Sequence, residues 1–165
     1  MSEIIRALNL IKLHRDASWL TDSQQQALLD VKEALRIPGT VNLCGPKGVG
    51  KTFLAWNLAD ELNYVYFPHL SYFMQVENLN TSGIVLDNCQ PRRQAHREVL
   101  EILRSQGTRH AVLITRQLIQ DYTHYVDLGL TEADIDKVQG NLATINLIPK
   151  ESQVSNYWHL INLCL

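Results

Sequence analysis

Residues 45–52 combine three glycines with a lysine and a threonine at the spacing of a phosphate-binding loop. The segment reads GPKGVGKT and satisfies the pattern GxxxxGK[ST]. Glycines let the backbone curl so that several N–H groups point at one anion, and a helix that begins near the lysine adds its positive end. Lysine then contacts the β- and γ-phosphates, and the threonine hydroxyl is a ligand for Mg²⁺. The sequence therefore predicts a nucleoside triphosphate site with Mg²⁺, formed by Gly45, Pro46, Lys47, Gly48, Val49, Gly50, Lys51, Thr52 and Phe53.

Asp87 is the second candidate for metal chemistry. It ends the apolar run Gly83-Ile84-Val85-Leu86, downstream of the loop. A carboxylate at the end of a buried strand is the Walker B arrangement, in which it holds the Mg²⁺ hydration shell. An aspartate there can also be a plain turn former or helix cap. The loop upstream favours the metal role, so Thr52 and Asp87 are the predicted metal residues.

Asn88 stands where ATPases of this design commonly carry a glutamate as general base. A carboxamide cannot accept a proton from water at neutral pH. Either another carboxylate supplies the base, or hydrolysis is slow and the bound nucleotide acts as a switch, or Asn88 merely orients a water molecule. If the water is otherwise well placed, Asn88→Glu is expected to raise hydrolysis.

Thr115 ends another apolar run, residues 111–114. A polar side chain at that point can contact the γ-phosphate or the attacking water, and the neighbouring Arg116 could help it to sense the nucleotide state. The alternative is an ordinary strand end followed by a helix cap. Both interpretations stay open on the sequence alone. The candidate catalytic set is Lys51, Asp87, Asn88 and Thr115.

Alternating strand and helix patterns predict how these residues are brought together. Short apolar runs predict strands over 40–44, 64–67, 83–87, 111–115 and 142–148. Helical patterns fall at 51–62, 70–76, 92–105 and 117–125, with an earlier helix that begins at a Thr21/Gln24 capping box and ends at Pro38-Gly39. Continuous apolar strands that alternate with helices indicate a parallel sheet covered on both faces, and ligands bind at the carboxyl edge of such sheets.

Size and composition fit one soluble domain. The chain has 165 residues, 45% of them hydrophobic and 19% charged, with a net charge of −2. We divide it into an N-terminal helical segment packing on the core (1–38), the nucleotide-binding core (39–150) and a C-terminal tail (151–165). Neither a signal-peptide pattern nor a membrane-length apolar run is found, so the expected location is cytoplasmic, without membrane contact. Three cysteines in no CxxC pair argue against a disulfide framework or a zinc site.

A local basic region could contact a partner even though the whole chain is slightly acidic. It contains Arg92, Arg93, Arg97, Arg104, Arg109 and Arg116, and the first four are the candidates for nucleic-acid contact. Glu98 and Glu101 can pair with Arg97 and Arg104 at helical spacing, which would make this a solvated helix face. The functional alternatives are a phosphate-contacting patch for nucleic acid, or an arginine offered to the nucleotide of a neighbouring subunit.

Residues 45–52, 84–88 and 111–115 together resemble the core of an AAA+-type ATPase, most closely the branch of replication initiators and helicase loaders. The resemblance covers roughly residues 20–148. It implies an α-β-α sandwich with a mostly parallel five-stranded sheet in the order 5-1-4-3-2, ATP as the nucleotide, and assembly into a homo-oligomer or larger complex. It also implies that residues 6–20 form the adenine-side wall of the site. Two departures are expected: a missing C-terminal helical lid, and only Lys137 where an arginine finger is usual, in the segment 131–137.

Three functions follow from these observations. The leading hypothesis is a small ATPase or ATP-dependent switch that acts on a protein or nucleic-acid partner. The second is a small-molecule kinase, which would need an acceptor site and a mobile arginine-rich lid. The third is a nucleotide-binding scaffold without turnover, which Asn88 and the missing lid favour. The partner and the base specificity do not follow from the sequence.

Overall fold

A computed structural model describes residues 2–89, 93–119, 124–150 and 154–165. The chain begins with helix α1 and a 3-10 helix, followed by α2, and then alternates strands and helices. The helices are α1 Glu3–Leu13, the 3-10 helix Ala17–Trp19, α2 Asp22–Ala34, α3 Lys51–Leu62, α4 Leu70–Phe73, α5 Arg93–Ser105, α6 Glu132–Thr144 and α7 Tyr157–Leu163. The strands are β1 Gly39–Cys44, β2 Val65–Phe67, β3 Gly83–Leu86, β4 His110–Ile114 and β5 Tyr125–Asp127.

The five strands form one parallel sheet in the order β2-β3-β4-β1-β5. This is the order 5-1-4-3-2 read from the other side, so the predicted α/β class and topology are confirmed. The strand β1 lies between β4 and β5, with Leu43 paired to Ile114 on one side and to Val126 on the other. The carboxyl end of β1, where the glycine-rich loop begins, is therefore flanked by the ends of β4 and β5.

Two hydrophobic clusters cover the two faces of the sheet and make it the middle layer of three. On one face, α2 and α3 pack through buried side chains such as Val31, Leu54 and Leu58. On the other, α4 and α5 pack through Phe73, Val99 and Leu103, among others. Burying a leucine or phenylalanine side chain of this size stabilises the fold by about 2 kcal/mol. The apolar strands are thus covered on both sides, as the sequence pattern predicted.

A third cluster joins the first helix of the chain to its last two. Ala7 of α1, Leu142 of α6 and Leu160 of α7 are buried against one another. These helices lie beside the carboxyl edge of the sheet, because residues of all three line the cavity at the glycine-rich loop. The two ends of the chain are thereby brought to the predicted site.

The last strand was predicted in the wrong place. Residues 142–148 are the end of α6 and the turn that follows it, and the fifth strand is β5. A helix forms here because Thr131 and Asp134 make a complete capping box at its start, and because its residue Leu142 is buried in the third cluster. The segment 131–137 consequently lies after the last strand, at the start of α6, so the expectation that it precedes that strand is wrong as well.

The helix predicted over 117–125 is also wrong in the part that the structure describes. Residues 117–119 are irregular, and β5 begins at Tyr125. The backbone N–H of Ile119 donates a 3.0 Å hydrogen bond to Asn42 Oδ1 in β1. That bond holds the segment after β4 against the sheet in a non-helical conformation.

The remaining elements follow the sequence pattern closely. The capping box predicted at the start of α2 is present, with Thr21 and Gln24 exchanging hydrogen bonds. Strands β1 to β4, helix α3 and the described part of α5 lie within a few residues of the predicted bounds. Among the described residues, no helix is both long and apolar enough to cross a membrane.

Candidate functional site

The glycine-rich loop connects the end of β1 to the start of α3, and its three glycines have positive φ angles and close neighbours that make any larger residue strained. Gly48 and Gly50 have φ angles of 89° and 83°, a left-handed conformation that L side chains rarely adopt. A Cβ atom on Gly48 would lie 2.8 Å from Asn156 Oδ1, and one on Gly50 would collide with the side-chain amide of Gln24. The loop is therefore wound tightly and enclosed by its neighbours, as a cradle built from backbone N–H groups requires.

Lys51 begins α3 and folds its ammonium group back over the loop. Its Nζ donates hydrogen bonds of 2.6 Å to the carbonyl oxygens of Gly45 and Pro46. Burial lowers the pKa of Lys51, while the carboxylate of Asp87 raises it and the positive charge of Arg116 lowers it further. A partly desolvated cation inside a loop of N–H groups is strongly attracted to an anion, which makes Lys51 the charge that would hold a phosphate here.

Asp87 follows β3 and receives three hydrogen bonds. Thr52 Oγ1 donates to its Oδ2 at 2.7 Å, the Tyr66 hydroxyl donates to the same oxygen at 3.1 Å, and the Asn88 backbone N–H donates to Oδ1 at 2.7 Å. Burial, together with this carboxylate, raises the pKa of Tyr66 well above its usual value, so the phenol remains a donor. The Thr52 hydroxyl and the Asp87 carboxylate are thus adjacent oxygen donors of the kind that Mg²⁺ prefers, and both residues fit the predicted metal role.

Asn88 has a φ angle of 52°, in the left-handed region that asparagine tolerates better than most side chains. Its side-chain Nδ2 donates a 3.0 Å hydrogen bond to the carbonyl oxygen of Pro68, just after β2. The side chain therefore supports the turn after β3. This contact favours a structural role for the amide over that of a residue free to orient water.

Thr115 lies at the end of β4 and is only 2% exposed. Its hydroxyl donates to the carbonyl oxygen of Gln117 at 2.6 Å and accepts from Asn42 Nδ2 at 2.9 Å. The amide of Asn42 also donates to the Leu113 carbonyl, and its oxygen accepts from Ile119 N–H. These contacts make Thr115 a strand end whose hydroxyl holds the following segment, but the helix cap of the second interpretation is not formed, because residues 117–119 are irregular.

A cavity of about 900 Å³ opens above the loop. Its polar end is formed by Lys51, Thr52, Asp87 and Arg116. Its other walls are largely apolar and come from α1, the 3-10 helix, α3, α6 and α7, and they include Leu8, Ile11, Trp19, Trp56, Leu142 and Trp158. A charged end for phosphates beside an apolar, aromatic end has the form of a nucleotide site.

The comparisons with known proteins point to the same class of fold. A structure described as a DNA replication initiation factor matches with a TM-score of 0.65 and 16% identity over 87% of this chain. The chain has the AAA+ fold. Replication initiator DnaA bound to AMPPCP and single-stranded DNA matches with a TM-score of 0.62 and 13% identity over 88%, and AMPPCP-bound DnaA from Aquifex aeolicus with 0.55 and 13% over 87%. This chain spans 60–61% of the length of each of these proteins, and the likeness in fold applies to that part. No protein-family model and no curated protein matches the sequence.

The AAA+ fold gives a new interpretation to the helices after β5. The expected absence of a lid followed from the misplaced last strand, which left few residues beyond it. With β5 at Tyr125–Asp127, residues 128–165 follow the sheet and include α6 and α7, which form part of the cavity wall. The reason for that expectation, the small number of residues after the last strand, therefore no longer applies, because α6 and α7 follow β5 and line the cavity. Trp158 and Ile161 of α7 face the same cavity as Lys51.

The helical part of the basic region is separated from this cavity, whereas Arg116 lines it. Arg97 and Arg104 are exposed on α5, which packs on the face of the sheet opposite α3. Arg92 lies outside the described residues, and Arg93 is described only as the first residue of α5. A partner bound by the arginines of α5 would contact this fold away from the loop.

Four residues near the site were not singled out as functional candidates by their sequence. They are Gln24, Asn42, Tyr66 and Tyr157. Gln24 was predicted as a helix cap, but its second contact, from Nε2 to the Gly50 carbonyl oxygen, depends on how α2 packs against the loop. Asn42 carried the clearest unused signal, because a polar residue in the middle of an apolar strand must find buried partners. Tyr66 and Tyr157 gave no comparable signal.

Proposed function

We propose that this protein binds ATP with Mg²⁺ at the carboxyl edge of its sheet and acts as a small ATPase or ATP-dependent switch on a protein or nucleic-acid partner. The observation that carries the proposal is the contact between Thr52 and Asp87, which places a hydroxyl and a carboxylate 2.7 Å apart beside the Lys51 loop. A glycine-rich turn without a ligand needs no such pair. With Mg²⁺ present, these two oxygens would hold the ion, which bridges phosphate oxygens and neutralises their charge.

The phosphates would be held by residues of the loop and α3. Lys51 supplies the cation, and the backbone N–H groups at the start of α3 supply donors aligned with the helix dipole. The base and ribose would occupy the apolar end, where Lys12 Nζ already lies 5.4 Å from the ring centroid of Trp56. Residues 6–20 would thus contribute to the base-side wall through Leu8, Ile11, Lys12 and Trp19.

Slow turnover is the form of activity that the site favours. The Asn88 amide donates to Pro68, and it cannot accept a proton from water. The Thr115 hydroxyl is shared between Asn42 and Gln117. Among the described residues that line the cavity, Asp87 is the one carboxylate, and it would be committed to the metal. The chain is therefore proposed to hold its nucleotide for long periods unless a second subunit or a partner completes the site.

Calorimetric titration with Mg-ATP tests binding directly. Wild type is expected to bind, Lys51→Ala to lose binding, and Lys150→Ala to keep it, because Lys150 is an exposed cation that does not line the cavity. The Lys150 variant controls for the loss of one positive charge. Equal affinities of wild type and Lys51→Ala, or no binding by wild type, would overturn the proposal.

Phosphate release, measured over a series of protein concentrations with and without single-stranded DNA, separates the two forms of the function. A specific rate that rises with protein concentration or DNA indicates an ATPase completed by neighbouring subunits or by nucleic acid. A negligible rate throughout, in a protein that binds Mg-ATP, indicates a nucleotide-held switch or scaffold.

A further inference from the structure

Two carbonyl groups of the phosphate loop are held from outside by other parts of the chain. Gln24 Nε2, on α2, donates a 3.3 Å hydrogen bond to the carbonyl oxygen of Gly50. The backbone N–H of Tyr157, at the start of α7, donates a 2.9 Å hydrogen bond to the carbonyl oxygen of Gly48. The two donors come from opposite ends of the sequence and meet at the same loop. We refer to Gln24 and the Tyr157 N–H as the loop brace.

Each bond fixes the orientation of one peptide unit. In a planar trans peptide, the N–H points away from the carbonyl oxygen of the same unit. Holding the Gly48 oxygen therefore fixes the N–H of Val49, and holding the Gly50 oxygen fixes that of Lys51. These N–H groups lie on the side of the loop away from the brace. N–H groups of this kind form the anion cradle of a phosphate loop.

The loop itself is poorly able to fix these orientations. Gly48 and Gly50 both have positive φ angles, and glycine has the widest conformational freedom of all residues. In the first turn of α3 the Gly50 oxygen accepts from Leu54 N–H at 3.1 Å, and Gln24 adds a second donor to it. Gln24 therefore reinforces a helical bond at Gly50, while the Gly48 carbonyl receives its donor from α7, and both contacts restrict the loop.

The side chain of Gln24 is buried and held in the orientation that this contact requires. It is 2% exposed, and both ends of its amide are used, since its Oε1 accepts from the backbone N–H of Thr21 at 3.0 Å. That bond fixes the rotation of the amide and directs Nε2 at the loop. The ring of Tyr157 closes the same side, because a Cβ atom on Gly50 would lie 2.8 Å from a carbon of that ring.

We propose that Gln24 of α2 and Tyr157 of α7 are positioning residues for nucleotide binding. Gln24 through its side chain and Tyr157 through its backbone N–H hold the phosphate loop in its anion-binding conformation. The inference rests on the proposed function, because it concerns how the same loop binds phosphate. It adds a role for two residues that line the same cavity and contact the loop through its carbonyl groups.

The first test compares two variants that damage the same helix cap. Gln24→Met removes the amide, and with it the bond to Gly50. Thr21→Val removes the hydroxyl that accepts from Gln24 N–H and that also bonds Asp134, but leaves the Thr21 backbone N–H that orients the amide. Both are expected to lower thermal stability. Calorimetry with Mg-ATP and with pyrophosphate should show affinity about five- to tenfold weaker in Gln24→Met, the size expected for one buried hydrogen bond, and unchanged in Thr21→Val.

The second test removes the other half of the brace. Tyr157→Pro and Tyr157→Ala both lose the ring, but only proline lacks the N–H. Proline is tolerated at the first position of a helix, which Tyr157 occupies after the cap Asn156, and Asn156 has the extended backbone that a residue before proline prefers. Pyrophosphate should bind Tyr157→Pro several-fold more weakly than Tyr157→Ala.

The outcomes separate this inference from the function on which it rests. If wild type binds neither Mg-ATP nor pyrophosphate, the proposed function itself is wrong. If wild type binds both, but Gln24→Met binds as tightly as Thr21→Val and Tyr157→Pro as tightly as Tyr157→Ala, the brace has no positioning role. The positioning role is also contradicted if the affinity of all four variants falls in proportion to their thermal stability.

Discussion

Thr52 Oγ1 and Asp87 Oδ2 lie 2.7 Å apart, joining the first turn of α3 to the end of β3. The two residues come from different elements, and their contact requires β3 and β1 to be separated only by β4 in the sheet. This geometry supports a site that binds a metal together with a phosphate. A cluster of three or more His, Cys, Asp or Glu side chains that could hold a metal is not found among the described residues. A Mg²⁺ ion bound by one carboxylate would also be coordinated by phosphate oxygens and water.

Asp87→Asn should therefore uncouple nucleotide binding from magnesium. In wild type we expect ATP to bind at least tenfold more tightly with Mg²⁺ than with EDTA, because the carboxylate binds the ion and the ion binds the phosphates. The amide carries no charge, so the ratio of the two dissociation constants should approach one. Calorimetry in both conditions measures this ratio.

Asp127→Asn is the matched control for that experiment. Asp127 also ends a strand at this edge, but it is exposed and contacts Cys44 instead of Thr52. Its variant should keep the wild-type ratio. A normal magnesium effect in Asp87→Asn would show that the metal is held elsewhere.

Asn88→Glu is expected to lower stability without raising hydrolysis, contrary to what the sequence alone predicted. Glutamate tolerates the left-handed backbone at this position less well, at a cost of about 1 kcal/mol, and it cannot donate to the Pro68 carbonyl. Urea denaturation and phosphate release measure the two effects. A clear gain in the hydrolysis rate would mean that a glutamate at position 88 can reach the attacking water.

Asn42→Leu should be strongly destabilising although it makes a central strand more hydrophobic. The substitution leaves the buried Ile119 N–H without its acceptor and removes the donor to Thr115. Leaving buried polar groups unpaired costs about 1–3 kcal/mol each. Urea midpoints compared with those of Asn80→Leu, at an exposed position, would measure the loss. Similar midpoints for the two variants would contradict the role of the network.

Asp134 should make stability depend on pH in the acid range. Burial favours its neutral form, but hydrogen bonds from Ser23, Thr131 and Thr21 outweigh this and lower its pKa from 3.8 to about 2. The carboxylate therefore contributes stability above pH 3.8, and this contribution is lost as the pH falls toward 2. The difference in pKa corresponds to about 2 kcal/mol.

Asp134→Asn isolates this contribution. The variant should be about 2 kcal/mol less stable than wild type at pH 7, and the gap should narrow as the pH falls below 3.8. Thermal unfolding followed by circular dichroism between pH 7 and pH 2 would measure it. A constant gap across this range would show that Asp134 acts through packing alone.

The parts of the fold that were predictable have strong local signals. The glycine-rich loop is defined by residue types at fixed spacing, and β1, β3 and β4 are apolar runs bounded by polar residues. The prediction of the fifth strand failed because the segment leading into β5 was assigned to a helix over 117–125, whereas residues 142–148 are largely apolar and partly β-branched. The capping box at Thr131 and Asp134 was a visible signal for the helix that occupies this region instead.

The contacts around the loop could not be predicted, for a different reason. Gln24, Tyr66 and Tyr157 lie far from the loop in sequence, and each reaches the site through the packing of its own element. Their side chains have no property that distinguishes them from ordinary surface or core residues. The chemistry of the site follows from motifs, but its support depends on tertiary structure.

The position of β1 between β4 and β5 has a consequence for folding during synthesis. Both strands that pair with β1 are made long after it, and the Tyr157 N–H that holds Gly48 is made later still. Pairing across such sequence distances is slow to form, because long chain segments must be closed first. A nascent chain emerging from the ribosome would carry the complete loop sequence without the strands that set its conformation. If the proposed nucleotide binds, it would therefore stabilise this fold only after residues 110–157 have been made, as a late check that these strands and α7 have reached the loop.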